Sequence, residues 1–545
     1  MSTSIPAEYL PAPNLWPERT RLLAELNYPQ QLNAAQLLVE GEAGERRADR
    51  PAIYFRDEVI TYGALARRVN RLGNAMKALG VGPGDRVVLR TPNRPSFIES
   101  WLATVKIGAV VVATMPLLRA RELEYIANDS EAKIVIVEGS LYQEIGQARP
   151  KMSTVRHVLV HGEAPAGALA ISDLTAEQPE SLAAHPTTAD DVALIAYTSG
   201  STGVPKGCIH FHNDVLAIAD SYARHILKPT PRDIFGGNPT MAFTFGLGAL
   251  MVFPFRVGAA AVLMDAFTPE LLLEAVKRYK MTLLFTAPTV YKLLVNMPGR
   301  DVRADVASLR LGVSAGEVLP AITYKQWVEG TGVELLDGIG ATEILHIFIS
   351  ERAGQVKPGS TGVPVPGYEA KVVDENFAEA PRGTPGLLAL RGPTGCRYWR
   401  KPERQAGYIH QGWNLPGDIY VQDEEGYFWY QCRNDDMIIS SGYNIAGPEV
   451  ENVMLEHPAV AEVAVVGKPD EKRGSIVKAF VVPAAGRSGG EALTKELQDF
   501  VKQQLAPYKY PREIEYVTAL PRTETGKVRR VELRKKEQEA AGQKS

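Results

Sequence analysis

The run TSGSTGVPKG, from Thr198 to Gly207, places three glycines, four hydroxyls and one lysine in ten consecutive positions. Glycines, Gly200 and Gly203 among them, admit turns in which successive amide hydrogens converge on one anion. The hydroxyls of Thr198, Ser199, Ser201 and Thr202 add donors, and Lys206 adds charge, so the run reads as a cradle for polyphosphate. It is not a Walker A loop, in which the lysine directly follows glycine and precedes Ser or Thr. Here Pro205 precedes Lys206 and Gly207 follows it. The apolar stretch VALIAY at 192–197 leads into the run as a strand, which distinguishes it from a Gly/Ser linker.

A chain of 545 residues exceeds the roughly 250–300 residues at which a single core stops growing, so at least two domains are expected. A net charge of -3 with 23% charged residues gives no general attraction to nucleic acid or to acidic membranes. The uncharged stretch Ile234 to Phe255 is long enough to consider as a membrane span, but Gly236, Gly237, Asn238, Pro239, Gly246, Gly248 and Pro254 interrupt it. It reads instead as buried core and pocket wall. The three cysteines, Cys208, Cys396 and Cys432, are far apart in sequence and odd in number. That argues against a disulfide framework or a clustered zinc site, and with no signal peptide visible at the start it points to the cytoplasm.

From Pro51 onward, short apolar runs such as DRVVLRT, AVVVATMP and AKIVIVE alternate with amphipathic stretches such as PSFIESWLATVKIGA and RARELEYIANDSE. This alternation predicts an α/β fold with largely parallel strands in layers. A boundary is expected where YFWYQCR runs into the polar RNDD, dividing the chain into an N-terminal domain of residues 1–434 and a small α+β domain of residues 435–545. The basic tail KVRRVELRKKEQEA reads as a solvated terminal helix. His210 and His212, at i and i+2 of an expected helix start, do not share a face and are read as structural.

The cradle resembles the phosphate loop of the adenylate-forming superfamily, which includes the acyl-CoA synthetases, and further signatures follow over nearly the whole chain in that family's order. DGIGATE at 337–343 is similar to its adenine and metal segment. The resemblance implies that Asp337 lies near the adenine amino group, Gly338 and Ile339 border the ring, Thr342 meets phosphate and Glu343 holds Mg²⁺. The family often has tyrosine where Ile339 stands, so the adenine wall here is aliphatic. GWNLPGD at 412–418 resembles the ribose segment, with Asp418 on the ribose diol and Pro416 replacing the usual threonine. RNDDMIISSGYNIAGPEVE matches the hinge, with Arg433 near the ribose and Asp435 at the pivot, and PRTETGK at 521–527 resembles the loop carrying the catalytic lysine, Lys527. Gly316 and Glu317 join the nucleotide set by the same likeness.

The resemblance implies a ligase using ATP, Mg²⁺ and coenzyme A. An acid is adenylated with Lys527, Thr342 and Glu343 as catalytic groups, the small domain swings about Asp435, and a thioester replaces AMP. DGIGATEILHIF, FTFGLGALMVFPF and GVSAGEVLP look most like the benzoate-CoA ligase subgroup. The implied acid pocket comprises Thr244, Phe245, Phe253, Ala315, Gly340, His346 and Ile347. The Thr244 hydroxyl stands where a small apolar side chain would suit plain benzoate, which points to a ring amino or hydroxyl group as in 2-aminobenzoate. A role in aromatic degradation and a monomer or homodimer acting without nucleic acid or membrane complete the expectation.

Two rivals remain at this point. GVSAG at 312–316 fits the nucleophile elbow of serine hydrolases, with Asp337 and His346 downstream in the order of a triad through Ser314. A different acid, or a carrier-protein thiol as acceptor, would keep the adenylation and change only what flanks it.

Overall fold

The alternation of strands and helices closes into two large, mainly parallel sheets. In the computed structural model, which describes residues 5–42, 45–199, 205–440, 443–470, 473–523 and 527–542, one sheet has seven strands. Its core strands Ala132–Glu138, Arg86–Arg90, Val110–Ala113 and Val192–Ser199 pair in parallel, and Pro205–Phe211 closes the edge antiparallel to Val192–Ser199. The other has nine strands, with Ala260–Leu263, Ile234–Gly237, Leu283–Thr286, Leu311–Ala315 and Leu335–Gly340 parallel at its centre. Strands covered on both faces read as near-continuous apolar runs, which is the pattern these segments carry.

The helices follow ordinary local rules. Helix Tyr62–Ala78 begins where Thr61 Oγ1 accepts the Ala64 N–H at 3.2 Å, and it buries Leu65, Val69, Leu72 and Met76 at spacings of three and four. The stretch considered as a membrane span is core: Ala249, Leu250, Met251, Val252, Phe253 and Phe255 are all fully buried. Among the described residues no helix is long and apolar enough to cross a membrane. Part of it, Gly248–Val252, is a π-helix, and so is Ala219–Leu227. This rare geometry tends to gather near functional sites.

A third, six-stranded sheet spans residues 369–433 and is antiparallel throughout, an arrangement the α/β reading did not anticipate. One short helix, Pro402–Tyr408, intervenes, but it does not carry a crossover between parallel strands: every pairing in the sheet is antiparallel.

Beyond it, Val460–Asp470, Gly474–Pro483 and Glu513–Tyr516 form a three-stranded sheet flanked by helices Gly447–Leu455 and Glu491–Gln504, with its own apolar cluster around Val450, Val465, Val481, Leu497 and Val501. Helix Arg530–Gly542 is not the solvated tail expected from its charges. Leu533 and Glu537 are buried, and Glu537 Oε1 accepts from Lys478 Nζ at 2.7 Å. Arg530 pairs with Glu451 at 2.6 Å, and Arg534 pairs with Asp436. Part of the charge that suggested solvent finds partners on the neighbouring strand, helix and turn. This C-terminal unit touches the larger body through an apolar cluster in which Met437 and Ala446 pack with Ile419 and Cys432, and through polar ties such as Lys292 Nζ donating to the Ala461 carbonyl at 3.0 Å and Arg522 Nη1 at 3.7 Å from Glu317 Oε1.

Candidate active site

The carboxyl ends of Val192–Ser199, Leu311–Ala315 and Leu335–Gly340 come from both large sheets, and the sequence-selected groups gather around them. Ligands of open parallel sheets settle at such ends. In the strand pair that carries the cradle, Thr198 lies opposite Lys206 and Ser199 opposite Pro205. Gly200, Ser201, Thr202 and Gly203, and the Ser199 side chain, lie outside the described residues.

Lys206 reaches Glu343. Its Nζ is 3.3 Å from Glu343 Oε1 and donates to the Tyr398 hydroxyl at 2.8 Å, and that hydroxyl donates to the same Oε1 at 2.8 Å. Thr342 and Glu343 belong to the short 3₁₀ turn Thr342–Ile344, anchored by a 2.7 Å hydrogen bond between His210 Nε2 and the Thr342 carbonyl. His210 therefore lies within strand Pro205–Phe211 and has a structural task, while His212 opens helix His212–Ile218 and its Nδ1 accepts the Ala34 N–H at 3.0 Å. Two cysteines far apart in sequence, Cys208 and Cys396, share one buried cluster with Tyr398, and Cys432 lies in another.

Among the described residues no three or more His, Cys, Asp or Glu side chains gather as a metal cage. Glu343 is a lone carboxylate whose Oε2 makes no hydrogen bond among the described residues. This fits Mg²⁺, which is commonly held by one or two carboxylates together with phosphate oxygens and water.

Asp337 is buried and its Oδ1 has no hydrogen-bond partner among the described residues. Burial holds its carboxyl well above the usual carboxylate range; Ser314 and the Gly338 backbone oppose that shift, and Glu351 adds to it. Gly338 and Ile339 continue the same strand, Gly338 opposite Ala315 and Ile339 half-buried.

Asp418 opens the strand Asp418–Gln422 and accepts from Arg433 Nη1 at 3.1 Å. Burial raises its carboxyl, and Arg433 and then Lys527 pull it back. Lys527 stands over the same mouth, since a Cβ built on Gly316 would come within 3.8 Å of its Cε. The lysine keeps solvent access, yet the protein around it desolvates the ammonium and lowers its pKa, with Glu317 and Asp418 opposing and Arg433 adding repulsion. Glu317 is in turn raised by desolvation. The backbone of Asp435 lies in the 3₁₀ turn Asn434–Asp436, whose first N–H donates to the Gly417 carbonyl at 2.9 Å; its side chain lies outside the described residues.

The implied acid pocket is aromatic. The His346 ring centroid lies 4.6 Å from Phe253, 5.3 Å from Tyr222 and 5.8 Å from Phe245. Among the described residues neither His346 ring nitrogen has a hydrogen-bond partner within normal geometry, and burial, opposed weakly by the Phe245 backbone, pushes its pKa down to about 3, so the ring is neutral at working pH. Ala315 and Ile347 are buried, and Thr244 begins the short helix Thr244–Leu247 with a hydroxyl that makes no hydrogen bond among the described residues. Gly340 marks a register shift between Leu335–Gly340 and Ile347–Ser350, and a Cβ there would sit 2.9 Å from the His346 carbonyl carbon and oxygen. Gly340→Ala is expected to cost about 1–3 kcal/mol, the usual range for overpacking. An unchanged thermal unfolding midpoint would contradict this account of the close approach.

Ser314 does not form a nucleophile elbow. It lies within strand Leu311–Ala315, paired between Thr286 and Asp337, fully buried and with no hydrogen bond from His346. A serine nucleophile needs exposure and an imidazole within reach. Tyr398 and Tyr222 escaped the sequence reading. The signal for Tyr398 was the alternation in GCRYW, which puts Cys396 and Tyr398 on one face of an extended chain.

The chain matches the AMP-binding enzyme family over residues 41–399 and the AMP-binding enzyme C-terminal domain family over residues 449–527. It is 39% identical to the benzoate–CoA ligase of Thauera aromatica, over 93% of this chain and 97% of that one. Among solved structures, it superposes on the anthranilate CoA ligase AuaEII in complex with anthranoyl-AMP with a TM-score of 0.90 at 36% identity, over 94% of this chain and 99% of that one. A benzoate CoA ligase from Burkholderia xenovorans LB400 gives a TM-score of 0.85 at 35% identity, over 92% of this chain and 99% of that one.

Proposed function

The chain belongs to the AMP-binding enzyme family, and from that premise we propose that it joins 2-aminobenzoate or benzoate to coenzyme A through an aryl-adenylate. It is an AMP-forming acid–thiol ligase for aromatic acids and uses ATP, Mg²⁺ and coenzyme A. The observation that carries the choice of acid is the neutral aromatic box of Phe245, Phe253 and His346, with Thr244 at its edge. Flat apolar walls with few polar groups suit a planar ring.

In this proposal the polyphosphate lies along Thr198, Ser199, Gly200, Ser201, Thr202, Gly203 and Lys206. The unpaired Asp337 Oδ1 accepts from the adenine amino group against Gly316, Glu317, Gly338 and Ile339. Asp418, steadied by Arg433, takes the ribose. Glu343 would hold Mg²⁺, whose chemistry when bound is to offset negative charge on phosphate oxygens. Thr342 donates to phosphate, and Lys527 places positive charge where the acid's carboxylate meets the α-phosphate. Ala315, Gly340 and Ile347 complete the wall of the ring pocket. The division at 434/435, with Asp435 as pivot, lets residues 435–545 withdraw Lys527 before the thiol enters. The cysteines are free thiols, which supports a reducing cytoplasm; a monomer or homodimer suffices, since the groups named here come from one chain.

A panel of aryl and fatty acids in an AMP-release assay that depends on free coenzyme A tests this reading. Strong turnover of aryl acids is expected, whereas AMP release only with a carrier-protein thiol would redirect the acceptor. Thr244→Ala is expected to shift the ratio of kcat/KM for 2-aminobenzoate over benzoate by about 3- to 10-fold, the scale of one hydrogen bond. An unshifted ratio would remove Thr244 from the selectivity.

A further inference from the structure

Between the cradle lysine and the carboxylate beside it stands a tyrosine that the ATP-dependent reading did not use. The Tyr398 hydroxyl accepts from Lys206 Nζ at 2.8 Å and donates to Glu343 Oε1 at 2.8 Å. Lys206 Nζ also lies 4.6 Å from the Tyr398 ring centroid. Only 1% of the residue is exposed, and several contacts fix it. Its N–H donates to Gln405 Oε1 at 2.8 Å, and the buried Gln405 returns its amide hydrogens to the Cys396 and Leu15 carbonyls at 2.9 and 2.8 Å. Its ring meets Tyr408 edge-on at 5.7 Å, and Cys208 lies across from it in an isolated antiparallel bridge.

We propose that Tyr398 is a positioning residue for metal-bound ATP: its hydroxyl fixes Glu343 through Oε1, leaving the other carboxylate oxygen for the divalent cation, and at the same time holds Lys206. The inference rests on the ATP-dependent reading above. A neutral donor suits this task better than a second cation, because it orients the carboxylate without cancelling the charge the metal needs. Lys206 is meanwhile shared between a neutral oxygen and an ion pair of 3.3 Å. A phosphate group therefore competes with a weak hold on the ammonium.

Tyr398→Phe keeps the ring and removes only the hydroxyl. ATP binding, followed by calorimetry at graded Mg²⁺, is expected to need about 10-fold more Mg²⁺ for half-saturation, the scale of one hydrogen bond to a charged group. Binding of metal-free ATP should change less than about twofold, and the unfolding midpoint should hold. In a Glu343→Gln background the same tyrosine change should add almost nothing, since the carboxylate it orients is gone. The proposal is overturned if Tyr398→Phe leaves the Mg²⁺ requirement unchanged, if metal-free and metal-bound ATP weaken equally, or if the full increment persists beside Glu343→Gln. Wild-type protein that bound no ATP at any Mg²⁺ concentration would instead overturn the ATP reading itself.

Discussion

Lys527→Ala is expected to lower acid-dependent pyrophosphate–ATP exchange by about 100- to 1,000-fold, the loss seen when a donor aimed at developing negative charge is removed. The same variant should still convert a supplied aryl-adenylate and coenzyme A to thioester at a rate within a few-fold of wild type, because Lys527 is assigned only to the first half-reaction. Loss of both half-reactions would show that the lysine shapes the site and does not act in it. The pH dependence gives a second reading. Since the ammonium sits below the ordinary lysine value, its charge is lost at a lower pH than usual. Exchange should therefore fall on the alkaline side earlier than an ordinary lysine would require. Lys527→Arg should remove that fall, as a guanidinium stays charged throughout.

Asp418→Ala is expected to raise KM for ATP by about 30- to 100-fold, since hydrogen bonds to a charged acceptor are each worth about 1.5–3 kcal/mol. The removed carboxylate also leaves Arg433 without its 3.1 Å partner. Comparing ATP with 2′,3′-dideoxy-ATP isolates the ribose contact. Wild type should prefer ATP strongly, and the variant should treat the two nucleotides nearly alike. If the variant discriminates as well as wild type, the ribose hydroxyls are held elsewhere.

The strings at 198–207, 337–343 and 521–527, on which the proposed site rests, stand out in the sequence because each is a contiguous run whose residue types would serve one ligand. The layered parallel sheets were legible as well, from apolar strands set at helix-length intervals. The antiparallel sheet of residues 369–433 was not, because its strands are short and only one short helix, Pro402–Tyr408, lies among them, so the α/β rhythm stops there. Tyr398 was hidden for another reason: 55 residues separate it from Glu343, and only the fold brings the two within 2.8 Å. The terminal helix misled because Lys478, Glu451 and Asp436 neutralise it from afar, and a charge run looks solvated until its partners are known.

The ties of the small domain to the body have a kinetic consequence. Lys292 to the Ala461 carbonyl and Arg522 to Glu317 are contacts with solvent close by, one of them stretched to 3.7 Å. The partly exposed Arg522–Glu317 ion pair contributes about 0–1 kcal/mol. In the proposed two-domain reading, such a cap would act as a turnstile, released by thermal agitation and settled again according to the occupant of the cleft beneath.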